Sequence, residues 1–183
     1  MSERLIRTAQ TDELDPDQLA ELTALCEAAF GEPFAAVWGR VGPGIHVMAS
    51  VGGRVVAHAM VIDRRLYVGH EPDTAIDVGY VENVATLPDA QGQGHGAAAM
   101  RATGEIIRGE YALGALATGS NGFYEKLGWE TWRGPTSVLM PDGQRVRSPK
   151  EDGHVMILRT PRSPGNLALD GPIAVAWRAD EPW

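Results

Sequence analysis

Residues Gly79 to Gly109, GYVENVATLPDAQGQGHGAAAMRATGEIIRG, hold the chain's best-placed chemistry. Val78 to Leu87 reads as a strand of β-branched and aromatic residues, which Pro88-Asp89 breaks. The turn Gln91-Gly92-Gln93-Gly94-His95-Gly96 follows, and from Ala97 helix formers take over, with Met100, Ile106 and Ile107 on one face and Gly109 as the expected C-cap. A strand, a glycine-rich turn and a helix N-terminus make an anion site. Glycines admit a close ligand, and the N–H groups of the first helical turn point at it. The turn also fits a dinucleotide fingerprint from Gly92. However, the next strand, Tyr111 to Ala117, ends without the acidic residue that a ribose needs. Within the strand, Glu82 sits among Tyr80, Val81 and Val84. Two readings are open for it: a carboxylate whose burial makes it a stronger base, or a solvent-facing side chain.

Gln91, Gly94 and Gly96 match Q/R-x-x-G-x-G/A, which resembles the acetyl-CoA loop of the GCN5-related N-acetyltransferases. The strings GYVENVA, GEYALGAL, YEKLGW, GPTSVL and the terminal WRADEPW, in that order, are similar to the aminoglycoside 2′-N-acetyltransferase family over nearly the whole chain. The resemblance implies acetyl-CoA as cosubstrate and a polycationic aminoglycoside as acceptor, and hence antibiotic resistance. Gln91, Gly92, Gln93, Gly94, His95 and Gly96 would hold the pyrophosphate. Backbone groups of Val84, Ala85 and Thr86 would take the pantetheine and thioester. Glu82 would assist deprotonation of the amine, and Tyr124 would protonate the departing thiolate. Glu32, Glu82, Asn83, Ala117, Glu151, Asp152 and the carboxylate of Trp183 would line the acceptor side. Two positions depart from the family. Val37, before Trp38, stands where the family has an acid, and Ala117, followed by Thr118, stands where it has a serine.

The fold implied is a single α/β (α+β) domain over residues 1–183. Its mixed, mostly antiparallel sheet has about seven strands, splayed between strands four and five, with helices on both faces. The elements read along the chain agree. Arg4 to Ala9 is a strand. Asp15-Pro16-Asp17-Gln18 starts a helix with a capping box, and Gly31 ends it. Pro33 to Arg40 is a second short helix. Ile45 to Val51 and Arg54 to Ile62 form a hairpin about Gly52-Gly53, and Arg65 to Val68 continues the meander before a loop around Pro72. Asn121 to Leu127 is a short helix closed by Gly128. Trp129 to Leu139 and His154 to Leu158 are strands, separated by a Pro141-Asp142-Gly143 turn. Ile173 to Arg178 is an edge strand, suited to a homodimer.

At 183 residues, with 44% hydrophobic and 22% charged side chains, the chain can bury a full core. Its 24 acidic and 16 basic residues, net charge −8, disfavour nucleic acid and anionic membrane as partners and suit a cationic substrate. The single cysteine, Cys26, excludes an internal disulfide and lies on the apolar side of the first helix. His46, His58, His70, His95 and His154 show no metal spacing, so no metal is expected. A polar start and the lack of an 18-residue apolar run point to the cytoplasm. Two other classes stay open: an acetyltransferase for another small amine (a polyamine, an amino sugar or a cell-wall precursor), and a non-catalytic relative that binds CoA or a cation.

Overall fold

The computed structural model describes residues 3–69 and 74–183, so His70 and the loop around Pro72 lie outside the described residues. The chain forms two compact units, one of residues up to Ile62 with Val81–Glu105, the other of Asp63–Tyr80 with Ile106–Trp183.

In the first unit, β1 (Arg4–Gln10) pairs antiparallel with β2 (Ile45–Val51) along its whole length. β2 in turn pairs with the start of β3 (Arg54–Val68), from Val51↔Arg54 to Ile45↔Val61. Gly52 and Gly53 both have positive φ, 60° and 84°, the backbone that a two-residue hairpin requires. The helix α1 (Pro16–Phe30) begins as its sequence specifies: the Asp15 carboxylate accepts from the Gln18 N–H at 2.8 Å, and Gln18 Oε1 accepts from the Asp15 N–H at 3.1 Å. It ends at Gly31 in the left-handed conformation. Its buried face carries Leu22, Leu25 and Cys26. Leu25 and Cys26 pack with Phe34, Val56, Ala85, Leu87 and Ala90. A second short helix, α2 (Ala35–Val41), presents Val37 and Trp38 to the same cluster, which accounts for an apolar residue at position 37. β4 (Thr74–Thr86) passes through both units and is hydrogen-bonded to β3. α3 (His95–Glu110) follows it.

In the second unit, β5 (Leu113–Ala117) pairs parallel with β4 over three positions, Val78↔Leu113 to Tyr80↔Ala115, although β4 runs on to Thr86. β9 (Val155–Arg159) lies antiparallel to β5 and to the short β6 (Glu130–Thr131). On the other side, β10 (Ile173–Ala176) is antiparallel to β3 and parallel to β7 (Thr136–Leu139), which pairs with β8 (Arg145–Arg147). The strand order in this unit is β6-β9-β5-β4-β3-β10-β7-β8. The last helix, α4 (Asn121–Glu125), precedes Gly128 at φ 88°.

The fold is mixed α/β as expected, but among the described residues the sheet has ten strands rather than about seven. The expected strand Trp129 to Leu139 is cut in two because Gly134 crosses the chain at Gly171. A Cβ on Gly134 would lie 1.8 Å from the Gly171 carbonyl oxygen, and the Arg133 and Gly134 N–H groups both donate to Leu169 O. β10 is interior, between β3 and β7, and not an edge; the strand-edge argument for a homodimer therefore fails. Gly109 is not a cap either, since α3 continues through Glu110 and the Tyr111 N–H bonds Ile107 O. This last correction is testable. A Cβ at Gly109 meets nothing within 4 Å, and glycine costs about 0.5–1 kcal/mol relative to alanine inside a helix. Gly109→Ala is expected to stabilise the protein by about that amount in urea denaturation. A left-handed cap at Gly109 would instead make the same substitution destabilising.

Candidate active site

The strand β4 does not alternate regularly. Tyr80 and Val81 are both buried, Glu82, Asn83 and Val84 are half-buried, and Ala85 is buried again. The break is at Asn83, whose φ of 54° places it in the left-handed region. That conformation costs roughly 1–2 kcal/mol for most residues; asparagine tolerates it better, because its short polar side chain can bond locally. A left-handed residue within a strand re-aims the side chains on either side of it, here Glu82 and Val84.

A buried hydrogen-bond chain meets the same residue. His58 Nδ1 lies 2.9 Å from the Asn83 carbonyl oxygen, His58 Nε2 lies 3.0 Å from His46 Nδ1, and His46 Nε2 lies 3.0 Å from Thr11 Oγ1. Both rings are fully buried, and Trp38 packs against them with centroids 5.5 and 5.8 Å away. Burial pushes the His46 ring down to about 4. Burial, and secondarily the charge of a protonated His46, push His58 down to about 3. Both rings are therefore neutral at pH 7. The sequence offered no sign of this pair, because twelve residues on adjacent strands separate its members.

After β4, the Leu87 N–H bonds Val56 O, and Pro88–Ala90 makes one tight turn. Gly92 and Gly94 have φ of 74° and 78°. Gly96 sits against Thr86, where a Cβ would meet the hydroxyl at 2.7 Å. Gln91 Nε2 donates to Thr86 O at 3.3 Å, and Gln93 Nε2 donates to Asp89 O at 3.1 Å. The helix opens at His95, two residues earlier than its composition suggested. Arg4, unremarked in the sequence, lies over this loop. Its Nε donates to His95 Nδ1 at 3.0 Å and its Nη2 to Gln93 O at 3.3 Å. A loop of glycines with positive φ, a helix N-terminus and a guanidinium fit a polyanion such as a pyrophosphate. Glu32 is exposed in the turn after α1.

In the second unit, Tyr124 is buried, and burial raises its phenol pKa, with a smaller opposing effect from its hydrogen bond with Thr118. The phenol therefore keeps its proton throughout the neutral range. Ala117 ends β5 opposite Val155. The Thr118 hydroxyl beyond it also accepts from the Ser120 N–H at 3.0 Å. The C-terminal tail is tied down. Arg64 donates to Pro182 O and to Ala176 O, and the Trp183 indole donates to Ser148 Oγ at 2.9 Å. This places Trp183 beside the turn Pro149–Glu151, where the Glu151 side chain is half-buried. Asp152 is committed elsewhere: it accepts from Thr136 N and Oγ1, both at 2.8 Å, and from Arg147 Nη2 at 2.7 Å. The Arg147 guanidinium, with these Thr136 donors, holds its carboxyl well below the usual range.

Of the residues singled out in the sequence, Glu32, Glu82, Asn83, Val84, Ala85, Thr86 and Gln91 to Gly96 belong to the first unit. Ala117, Tyr124, Glu151, Asp152 and Trp183 belong to the second. Cys26 is buried, and burial pushes its thiol up to about 12, which leaves no thiolate for nucleophilic chemistry at neutral pH. Among the described residues, no group of three or more His, Cys, Asp or Glu side chains could hold a metal ion. No helix among them is long and apolar enough to cross a membrane.

The GNAT acetyltransferase domain family model matches residues 6–132, and a strand interrupted at Asn83 that runs into a glycine loop and a helix N-terminus is in keeping with that class. The fold is shared with a GNAT family acetyltransferase from Brucella melitensis solved with acetyl-CoA, at TM-score 0.59 and 19% identity over 98% of both chains. It is shared also with the Escherichia coli GNAT protein YhbS solved with CoA, at TM-score 0.63 and 14% identity over 95% of this chain and 90% of that one. An aminoglycoside 2′-N-acetyltransferase from Mycolicibacterium fortuitum is 36% identical over 97% of this chain and 91% of its own. The chain belongs to the aminoglycoside 2′-N-acetyltransferase family of the GNAT superfamily.

The neutral histidine pair makes stability depend on pH. Folding lowers both pKa values from 6.5, so the unfolded chain binds more protons between pH 6.5 and about 4 or 3. The contribution is complete above 6.5 and is lost as pH falls toward the folded values, by about 1.4 kcal/mol per pH unit for each ring. Urea-denaturation midpoints should fall steeply between pH 6.5 and 4.5, and His58→Gln should flatten that slope by about half. A slope that His58→Gln leaves unchanged would contradict a buried neutral ring at position 58.

Proposed function

We propose that this protein transfers the acetyl group of acetyl-CoA to the 2′-amino group of an aminoglycoside. The observation that carries this reading is the near full-length similarity to the Mycolicibacterium fortuitum enzyme, in a chain whose cofactor loop is complete. The loop fits acetyl-CoA on its own geometry. Positive φ at Gly92 and Gly94 gives the loop the tight backbone turns that a phosphate cradle needs, and the lack of a side chain at Gly96 lets the helix start pack against the Thr86 hydroxyl, which a Cβ would meet at 2.7 Å. In this reading Gln91 to Gly96 hold the pyrophosphate, and Arg4 supplies the full positive charge that a loop headed by Gln91 lacks. Backbone N–H groups of Val84, Ala85 and Thr86 hold the pantetheine and polarise the thioester carbonyl.

The amine attacks the carbonyl carbon directly, the C–S bond breaks, and the ammonium proton leaves through water to Glu82. Tyr124 donates a hydrogen bond to the departing sulfur. Its raised pKa lies above that of an ordinary thiol, about 8.5. Complete proton transfer from the phenol is therefore uphill, and stabilisation of the developing thiolate is its larger effect. Glu32, Asn83, Ala117, Glu151 and the Trp183 carboxylate are assigned to the acceptor. The indole bond to Ser148 supports this for Trp183 by holding the terminus beside Glu151. Asp152 serves as the brace of that turn, because its oxygens already accept from Thr136 and Arg147. With Val37 in the core and Asp152 engaged, fewer free carboxylates face the acceptor, and the range of aminoglycosides is narrower for it. In the cell we place the activity in the cytoplasm, with antibiotic resistance as its consequence.

Free-thiol release from acetyl-CoA with two matched aminoglycosides, one with a 2′-amine and one with a 2′-hydroxyl, tests the reading. Release with the 2′-amine compound alone, with the added mass on that ring, is the expected outcome. Release with both compounds would keep the acetyltransferase and remove the 2′ assignment. Silence with both, while acetyl-CoA still binds, would favour a different amine or a binding protein.

A further inference from the structure

We propose that His46 and His58 are positioning residues for acetyl transfer, a hydrogen-bond relay that holds the Asn83 carbonyl and so aims Glu82 and the Val84 N–H at the reacting groups. The inference rests on the function proposed above. A backbone carbonyl can only accept, so His58 Nδ1 must carry the proton that bonds Asn83 O at 2.9 Å. His58 Nε2 is then an acceptor, and the proton between the rings sits on His46 Nδ1. His46 Nε2 is an acceptor in turn and takes the hydroxyl proton of Thr11. The hydroxyl has one proton and two acceptors in reach, His46 Nε2 at 3.0 Å and Gly44 O at 3.1 Å, and the ring nitrogen is the one with no other donor. The Thr11 N–H already serves Gly44 O at 3.0 Å, and the Gly44 N–H donates to Thr11 Oγ1 at 2.9 Å. One terminal carbonyl thus sets both tautomers, and the chain runs in a single direction.

The relay is built to be rigid. Both rings are fully buried, Trp38 packs against each, and the Trp38 indole is itself fixed by a 2.9 Å bond to Thr23 Oγ1. Its far end lies on a residue with positive φ in the middle of a strand. Without the bond to its carbonyl, β4 would relax toward ordinary extended backbone. Because side chains alternate along a strand, that change would turn Glu82 or the residues after position 83 toward the opposite face. The histidines would touch neither substrate nor cofactor; they act through Asn83.

The test compares His58→Phe, which keeps the ring and removes both nitrogens, with His58→Asn, which retains an N–H donor where Nδ1 stands. Both are assayed by thiol release with a 2′-amine aminoglycoside, alone and combined with Glu82→Gln. We expect His58→Phe to lower kcat roughly 10- to 100-fold while changing KM for acetyl-CoA far less. His58→Asn should recover part of that loss. Adding Glu82→Gln to His58→Phe should cost less than Glu82→Gln costs in the wild type, since a misaimed carboxylate has less to lose. Unimpaired His58→Phe, or equal effects on kcat and KM, would overturn the positioning role. Should His58→Phe not fold, ¹⁵N NMR of the wild-type rings decides: Nδ1–H tautomers at both positions are required, and an Nε2–H tautomer at either overturns the relay. A wild type that acetylates no 2′-amine removes the functional reading, whatever the rings show.

Discussion

A carbonyl oxygen in a buried strand must find a donor, and at Asn83 the donor is a histidine ring that itself needs a partner. That chain of partners runs through two imidazoles, which burial keeps neutral, to the hydroxyl of Thr11 just after β1, and the Trp38 ring closes over them. The left-handed turn at Asn83 interrupts a strand that would otherwise present Glu82 and Val84 on one face. The strand that carries Glu82 and the amides proposed to bind the thioester is thus shaped by residues well away from it in sequence.

The two halves of the proposed chemistry draw on different physical resources. The cofactor half uses backbone: glycines at positive φ, the open N–H groups at the start of α3, and one guanidinium laid across the loop. Such a site depends on backbone conformation more than on side-chain identity. The acceptor half uses side-chain charge, which this chain has partly diverted to structure. Asp152 is held by Arg147 and Thr136, and position 37 supplies core packing. Arg64 and Ser148 hold the segment at Pro182 and Trp183 in place.

What the sequence disclosed follows from the range of the interactions concerned. The capping box at Asp15, the hairpin at Gly52-Gly53 and the glycine loop at Gln91 are contained within a few residues, and all were legible. Gly109 misled because a helix-ending glycine and a tolerated interior one have the same local pattern; only the continuation to Glu110 separates them. β10 resembled an edge because its neighbours, β3 and β7, come from distant parts of the chain. The histidine pair and Arg4 were invisible for the same reason. Arg4 reaches a loop 89 residues away, and the spacing of His46 and His58 matches no metal or catalytic pattern. The roles of Glu82 and Tyr124 came from family resemblance, since a strand carboxylate and a helix tyrosine have no distinctive spacing.

The most direct test is a crystal structure of this protein with acetyl-CoA bound. The account predicts the pyrophosphate on the amides of Gln91 to Gly96 and the thioester carbonyl oxygen within hydrogen-bond distance of an N–H from Val84, Ala85 or Thr86, with Asn83 still left-handed and bonded to His58. A thioester lying away from that stretch of β4, or an Asn83 that has turned to regular strand with the cofactor in place, would contradict it.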